Sequence, residues 1–116
     1  VVDIDKDGRP DFELIYQGQK YLVECKNVAK DVPRDGFPRI DFQKTRASKG
    51  DPCSRYYDPK AFNVLAACLH PVTKLWEFRF ASTSMLDRHK DCADKLSNKV
   101  LVRRDHWKSN LEELLV

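Results

Sequence analysis

Asp11, Glu13, Glu24 and Lys26 are the side chains whose types and spacing are best suited to chemistry. Pro10-Asp11 leads into Phe12, Leu14 and Tyr16, which alternate with Glu13 and Ile15. After Gln17-Gly18-Gln19 comes Tyr21-Leu22-Val23-Glu24-Cys25-Lys26, rich in β-formers. Two strands and a tight turn are expected. Residues two apart on a strand share a face, so Glu24 and Lys26 project together. A type II′ turn at Gly18-Gln19 would oppose Tyr16 to Tyr21, Glu13 to Glu24 and Asp11 to Lys26, aiming all four charges one way. A three-residue loop without a bulge would send Asp11 to the other face. Three carboxylates beside one lysine repel one another, and a divalent cation is the natural neutraliser. Mg²⁺, with Mn²⁺ as a substitute, takes a few carboxylate oxygens and keeps several waters. Lys26 would then orient or deprotonate a metal-acidified water, which is chemistry for phosphodiester hydrolysis. Without a metal, the same residues are a solvated strand face with a Glu–Lys pair.

The elements that must hold these groups can be read from the pattern. Residues 29–41, with Pro33, Gly36 and Pro38 among charges, read as a loop. Residues 40–49 read as a short helix, closed by Gly50-Asp51-Pro52. Phe62 to Leu69 is an apolar run for a buried strand, His70 to Lys74 a turn, and Leu75 to Phe80 alternates with period two, giving a second hairpin. Leu86, His89, Ala93 and Leu96 place a helix over 84–96, residues 100–102 form a last short strand, and residues 107–115 a terminal helix. The expectation is an α/β domain with a central mixed sheet of four to five strands flanked by helices.

Pro10-Asp11, the hairpin, Glu24-Cys25-Lys26 and the following polar helix with Gln43 resemble the core of the PD-(D/E)XK nuclease superfamily, the restriction-endonuclease-like fold. The resemblance covers roughly residues 9–80 and rests mainly on the order of elements. It implies that Asp11 and Glu24 bind Mg²⁺, that the Cys25 carbonyl completes the metal shell, that Lys26 assists the attacking water, and that Gln43 supports the site. It implies a metal-dependent DNA endonuclease acting on double-stranded DNA. Residues 1–116 would be a single nuclease-like domain, and a fragment, because the family's N-terminal helix is missing ahead of Asp11 and the sequence begins at Val1. Target recognition would come from a homodimer or an additional domain.

Residues 42–49, continuing to Arg55-Tyr56-Tyr57, interleave bases, hydroxyls and aromatics. Lys44, Arg46, Lys49 and Arg55 suit backbone phosphates, and Tyr56 or Tyr57 a stacked base. A competing signal is Asp3-Ile4-Asp5-Lys6-Asp7-Gly8-Arg9-Pro10-Asp11, an oxygen-rich pattern like a Ca²⁺ loop. The alternative it supports is a non-catalytic nucleic-acid-binding α/β module with structural Ca²⁺ at residues 3–11. A third reading places zinc on Cys68, His70, His89 and Cys92 in a protein-interaction module.

Length and composition bound these readings. The chain has 116 residues, 34% of them charged, with 21 Lys and Arg against 18 Asp and Glu, enough for one modest core and a weakly basic surface. The charge is uneven: six acids and three bases in residues 1–24 leave twelve acids and eighteen bases for the rest. No apolar run approaches the roughly 18 residues of a membrane span, and no signal peptide is expected. Four irregularly spaced cysteines are expected to be reduced, placing the protein in the cytoplasm or with the nucleoid.

Overall fold

The computed structural model describes residues 11–32, 36–42, 50–103 and 107–115, and the backbone of residues 2–3. Strands β1 (Val2–Asp3), β2 (Phe12–Tyr16), β3 (Gln19–Asn27), β5 (Val64–Cys68) and β6 (Phe78–Ser82) form a mixed sheet in the order β1-β2-β3-β5-β6. β4 (Arg39–Asp41) and β7 (Lys99–Leu101) form a separate antiparallel pair. β3 and β5 are parallel, and the other neighbours in the main sheet are antiparallel.

β5 organises the interior because all five of its residues, Val-Leu-Ala-Ala-Cys, are buried. A strand covered on both faces reads as a continuous apolar run, and this one does. Leu65 and Ala67 face one core with Ile40, Phe42, Phe62, Leu96 and Trp107. Val64 and Ala66 face a second, smaller core with Val23, Phe12 and Leu14, covered by Leu111, Leu114 and Leu115. The β4–β7 pair therefore forms a second layer over the first face, and the C-terminal segment caps the other. Phe42 stacks on Tyr57 with ring centroids 4.3 Å apart and meets Phe62 edge-on at 5.8 Å.

The helix-flanked α/β expectation is overturned. Among the described residues the helices are single turns, α1 (His70–Thr73) and α2 (Glu112–Leu115), beside short 3₁₀ turns at Pro52–Arg55 and Thr83–Met85. The protein is mostly β. Residues 84–96 do bury Leu86 and Leu96, but their backbone closes on itself instead of coiling. His89 Nδ1 accepts from the amides of Asp91 and Cys92, the His89 amide donates to the Lys95 carbonyl, and Ser97 donates to Asp87. Such side-chain bonds compete with helical ones. At the terminus, Lys108 exchanges both backbone hydrogen bonds with Phe80 at 2.8 Å, so only Glu112–Leu115 coils, after Asn110 Oδ1 accepts from the Glu112 amide. Residues 39–41, which the pattern divides between a loop and a helix, pair as a strand with β7; the remainder of that helix, 43–49, lies outside the described residues. No described helix is long and apolar enough to cross a membrane.

The cysteine expectation is also corrected. Cys53 and Cys92 form a disulfide between the 3₁₀ turn and the 84–96 loop, while Cys25 and Cys68 are free. Bringing two loops 39 residues apart together is a tertiary event that irregular spacing does not announce. The bond removes Cys92 from the imagined zinc set, and Cys68 is buried within β5. It sits uneasily with a reducing compartment without deciding the location.

Candidate functional site

The first hairpin turns one step earlier than the sequence suggests. Gln17 and Gly18 both take positive φ, 51° and 79°, and Tyr16 pairs with Gln19. This is a two-residue loop of type I′ character, in which Gly fits the second position and Gln17 tolerates the left-handed one. The register therefore slips by two residues, with Phe12 opposite Val23 and Glu13 opposite Leu22. A slip of two preserves the faces. Extending it by one residue sets Asp11 opposite Glu24 instead of Lys26.

Glu13 leaves the cluster. It pairs with Lys20 at 3.4 Å, toward the turn, so two carboxylates converge and not three. Asp11 Oδ2 accepts a hydrogen bond from the Cys25 amide at 2.8 Å, and Lys26 Nζ is 4.0 Å from Glu24 Oε1. Glu24 is buried, 7% exposed; Asp11 and Lys26 are half-buried.

Electrostatics follow from this packing. Burial, then the charge of Asp11 and a hydrogen bond with it, push Glu24 up to about 7, against a smaller opposing pull from Lys26. Burial alone would lower Lys26, but a hydrogen bond with Tyr57, and then the charges of Tyr57, Glu24 and Asp11, outweigh it and leave the amine raised. Lys26 is thus an ammonium at neutral pH. It can orient water or stabilise negative charge, and the deprotonating role offered as an alternative does not suit it. Its Nζ lies 5.3 Å from the centre of the Tyr57 ring. Burial, then the nearby Asp11 charge, raises the Cys25 thiol, so this side chain stays neutral.

The donor set fits a hard cation of the Mg²⁺ kind. Two carboxylates hydrogen-bonded to each other have, among the described residues, one neighbouring ammonium, and cation binding would relieve their repulsion. The Cys25 amide points to Asp11, and in an extended strand the carbonyl of the same residue faces the same edge. Two carboxylates and a carbonyl suffice for Mg²⁺, which retains waters. Among the described residues no group of three or more His, Cys, Asp or Glu side chains is placed to hold a metal. Among the described residues, clefts of about 390, 660 and 720 Å³ lie elsewhere on the surface, and none of these is lined by Asp11, Glu24 or Lys26.

Of the other residues singled out in the sequence, Gln43, Lys44, Arg46 and Lys49 lie outside the described residues, as do positions 4–10 of the acidic loop. Arg55 is half-buried beside the disulfide, and its Nε is buried without a hydrogen-bond partner among the described residues. Tyr56 stacks on His89 at 4.0 Å and Tyr57 on Phe42; both rings pack inward against their neighbours. Tyr57 is the contributor that sequence reasoning missed in this role. The dipeptide suggested a stacked base, and only the three-dimensional approach of the turn after Pro52–Arg55 to β3 reveals a partner for Lys26. No protein-family model, curated protein or solved structure matches the chain.

Proposed function

We propose that the chain is a Mg²⁺-dependent DNA endonuclease of the PD-(D/E)XK type of chemistry, hydrolysing phosphodiester bonds at the Asp11–Glu24–Lys26 cluster. The reading rests on the site and not on the fold. Its chief support is the pairing of Asp11 with Glu24 across the first hairpin, with the Lys26 ammonium 4.0 Å from Glu24. Asp11, Glu24 and the Cys25 carbonyl would hold the ion. When bound, Mg²⁺ supplies Lewis acidity toward the phosphate and acidifies water. Glu24, raised to about 7 by burial and Asp11, would release its proton to solvent to serve as a ligand. Lys26, fixed by Tyr57, donates a hydrogen bond to the attacking water or to a phosphate oxygen and stabilises the charge that develops there.

Plasmid nicking with the purified chain tests this. With Mg²⁺, the wild type should convert supercoiled to open-circular DNA, and Glu24→Ala and Lys26→Ala should each be slower by about a hundredfold or more. Wild-type nicking no faster than in either variant refutes the proposal.

The burial of Glu24 favours a second reading, in which the two carboxylates share a proton as a structural pair and the protein binds nucleic acid without cutting it. That reading predicts duplex binding, no nicking, and no stabilisation by Mg²⁺.

A further inference from the structure

Of the phosphate-gripping residues suggested by the sequence, Arg55 is half-buried and the others lie outside the described residues, yet another basic surface is in place. Arg79 of β6, Arg103 just after β7, Phe37, Trp107 and Ser109 line a cleft of about 720 Å³, with no acidic side chain lining it among the described residues. Among the described residues, neither arginine joins an ion pair. Arg79 donates from Nη1 to the Phe78 carbonyl at 2.8 Å, and Arg103 lies over the Phe37 ring, 5.8 Å from its centre. A guanidinium has five N–H donors, so most remain for a ligand. Two cations in one cleft, with no counter-charge among the described residues, favour an anion, and their forked donors match phosphate oxygens.

The sheet register relates this cleft to the carboxylate pair. Lys26 pairs with Ala67, and Ala67 with Arg79, so Lys26 and Arg79 leave the sheet on the same face. Two strand spacings put their Cα atoms roughly 10 Å apart, with Ala67, buried under the β4–β7 pair, between them.

We propose that this cleft binds a backbone phosphate of a nucleic-acid strand through Arg79 and Arg103, with the Ser109 hydroxyl as a further donor. The inference rests on the nucleic-acid part of the functional reading and not on its catalytic part. It assigns the cleft affinity and register, since phosphate contacts carry no sequence choice.

The test is fluorescence anisotropy of a short labelled DNA duplex in EDTA, which suppresses cleavage, titrated with the full chain over a range of KCl. Arg79→Ala and Arg103→Ala should each weaken binding roughly tenfold and make the slope of log affinity against log salt shallower by about 1. Arg103→Lys should keep the slope. Arg103 is exposed, so its variants fold even if Arg79→Ala does not. Wild-type affinity and slope in Arg103→Ala, or no duplex binding by the wild type, overturns the inference. Inorganic phosphate should compete no better than chloride at equal ionic strength; stronger competition that disappears in Arg103→Ala reassigns the cleft to free phosphate and also overturns it. Arginine-dependent binding with no nicking by the wild type removes the nuclease and leaves the cleft.

Discussion

Replacing Glu24 by Gln removes a buried charge. In the unfolded chain the carboxyl titrates near 4.5, and in the folded chain at about 7, because it is buried beside Asp11. The sign follows from proton counting. Below 4.5 both states hold the proton. Between the two values the folded state binds more protons than the unfolded one, so stability falls as pH rises, by at most about 1.4 kcal/mol per pH unit. Above 7 both states are ionised and the loss is complete. A shift from 4.5 to about 7 corresponds to a total of about 3 kcal/mol. The assay is urea unfolding in EDTA between pH 4.5 and 8, followed by fluorescence of the buried Trp107. The wild type should lose about 3 kcal/mol relative to Glu24→Gln across that range, and at pH 8 the variant should melt roughly 10 °C higher. Comparing the two proteins cancels the histidines and other shared titrations. Mg²⁺ at pH 8 should restore part of the loss in the wild type and none in the variant. A stability difference between the two proteins that does not change with pH, or a variant less stable than the wild type at pH 8, refutes the reasoning about this pair.

Reducing the Cys53–Cys92 bond, or making Cys53→Ser, frees loops 39 residues apart in sequence and should destabilise the chain by up to roughly 4 kcal/mol on chain-entropy grounds; unfolding with and without dithiothreitol measures it, and equal midpoints contradict it. Gln17→Asn, at a left-handed position of the hairpin turn, should stabilise by about half a kcal/mol, since Asn adopts that conformation more readily. Tyr57→Phe removes the largest contribution that raises Lys26; the Lys26 pKa followed by NMR should fall, and an unchanged value disproves the hydrogen bond.

What the amino-acid order determined here is largely local. Alternating residues around Gln17 and Gly18 specified a hairpin, the run from Phe62 to Leu69 a buried strand, and the E-x-K spacing a shared face for Glu24 and Lys26, because period two follows from strand geometry alone. Even the wrong turn preserved Asp11 on that face, since a slip of two residues does not invert it. The rest depended on groups distant in sequence. Residues 84–96 carry helical spacing, but a disulfide to Cys53 and side-chain bonds from His89 hold them as a loop. Residues 39–41 pair only because residues 99–101 come alongside. Tyr57 fixes Lys26, and Arg79 shares a cleft with Arg103, through packing of layers that no short pattern encodes. Periodicity sets which way a side chain points along its own strand; what it meets there is decided by the folded chain, where contacts between distant segments override local preference.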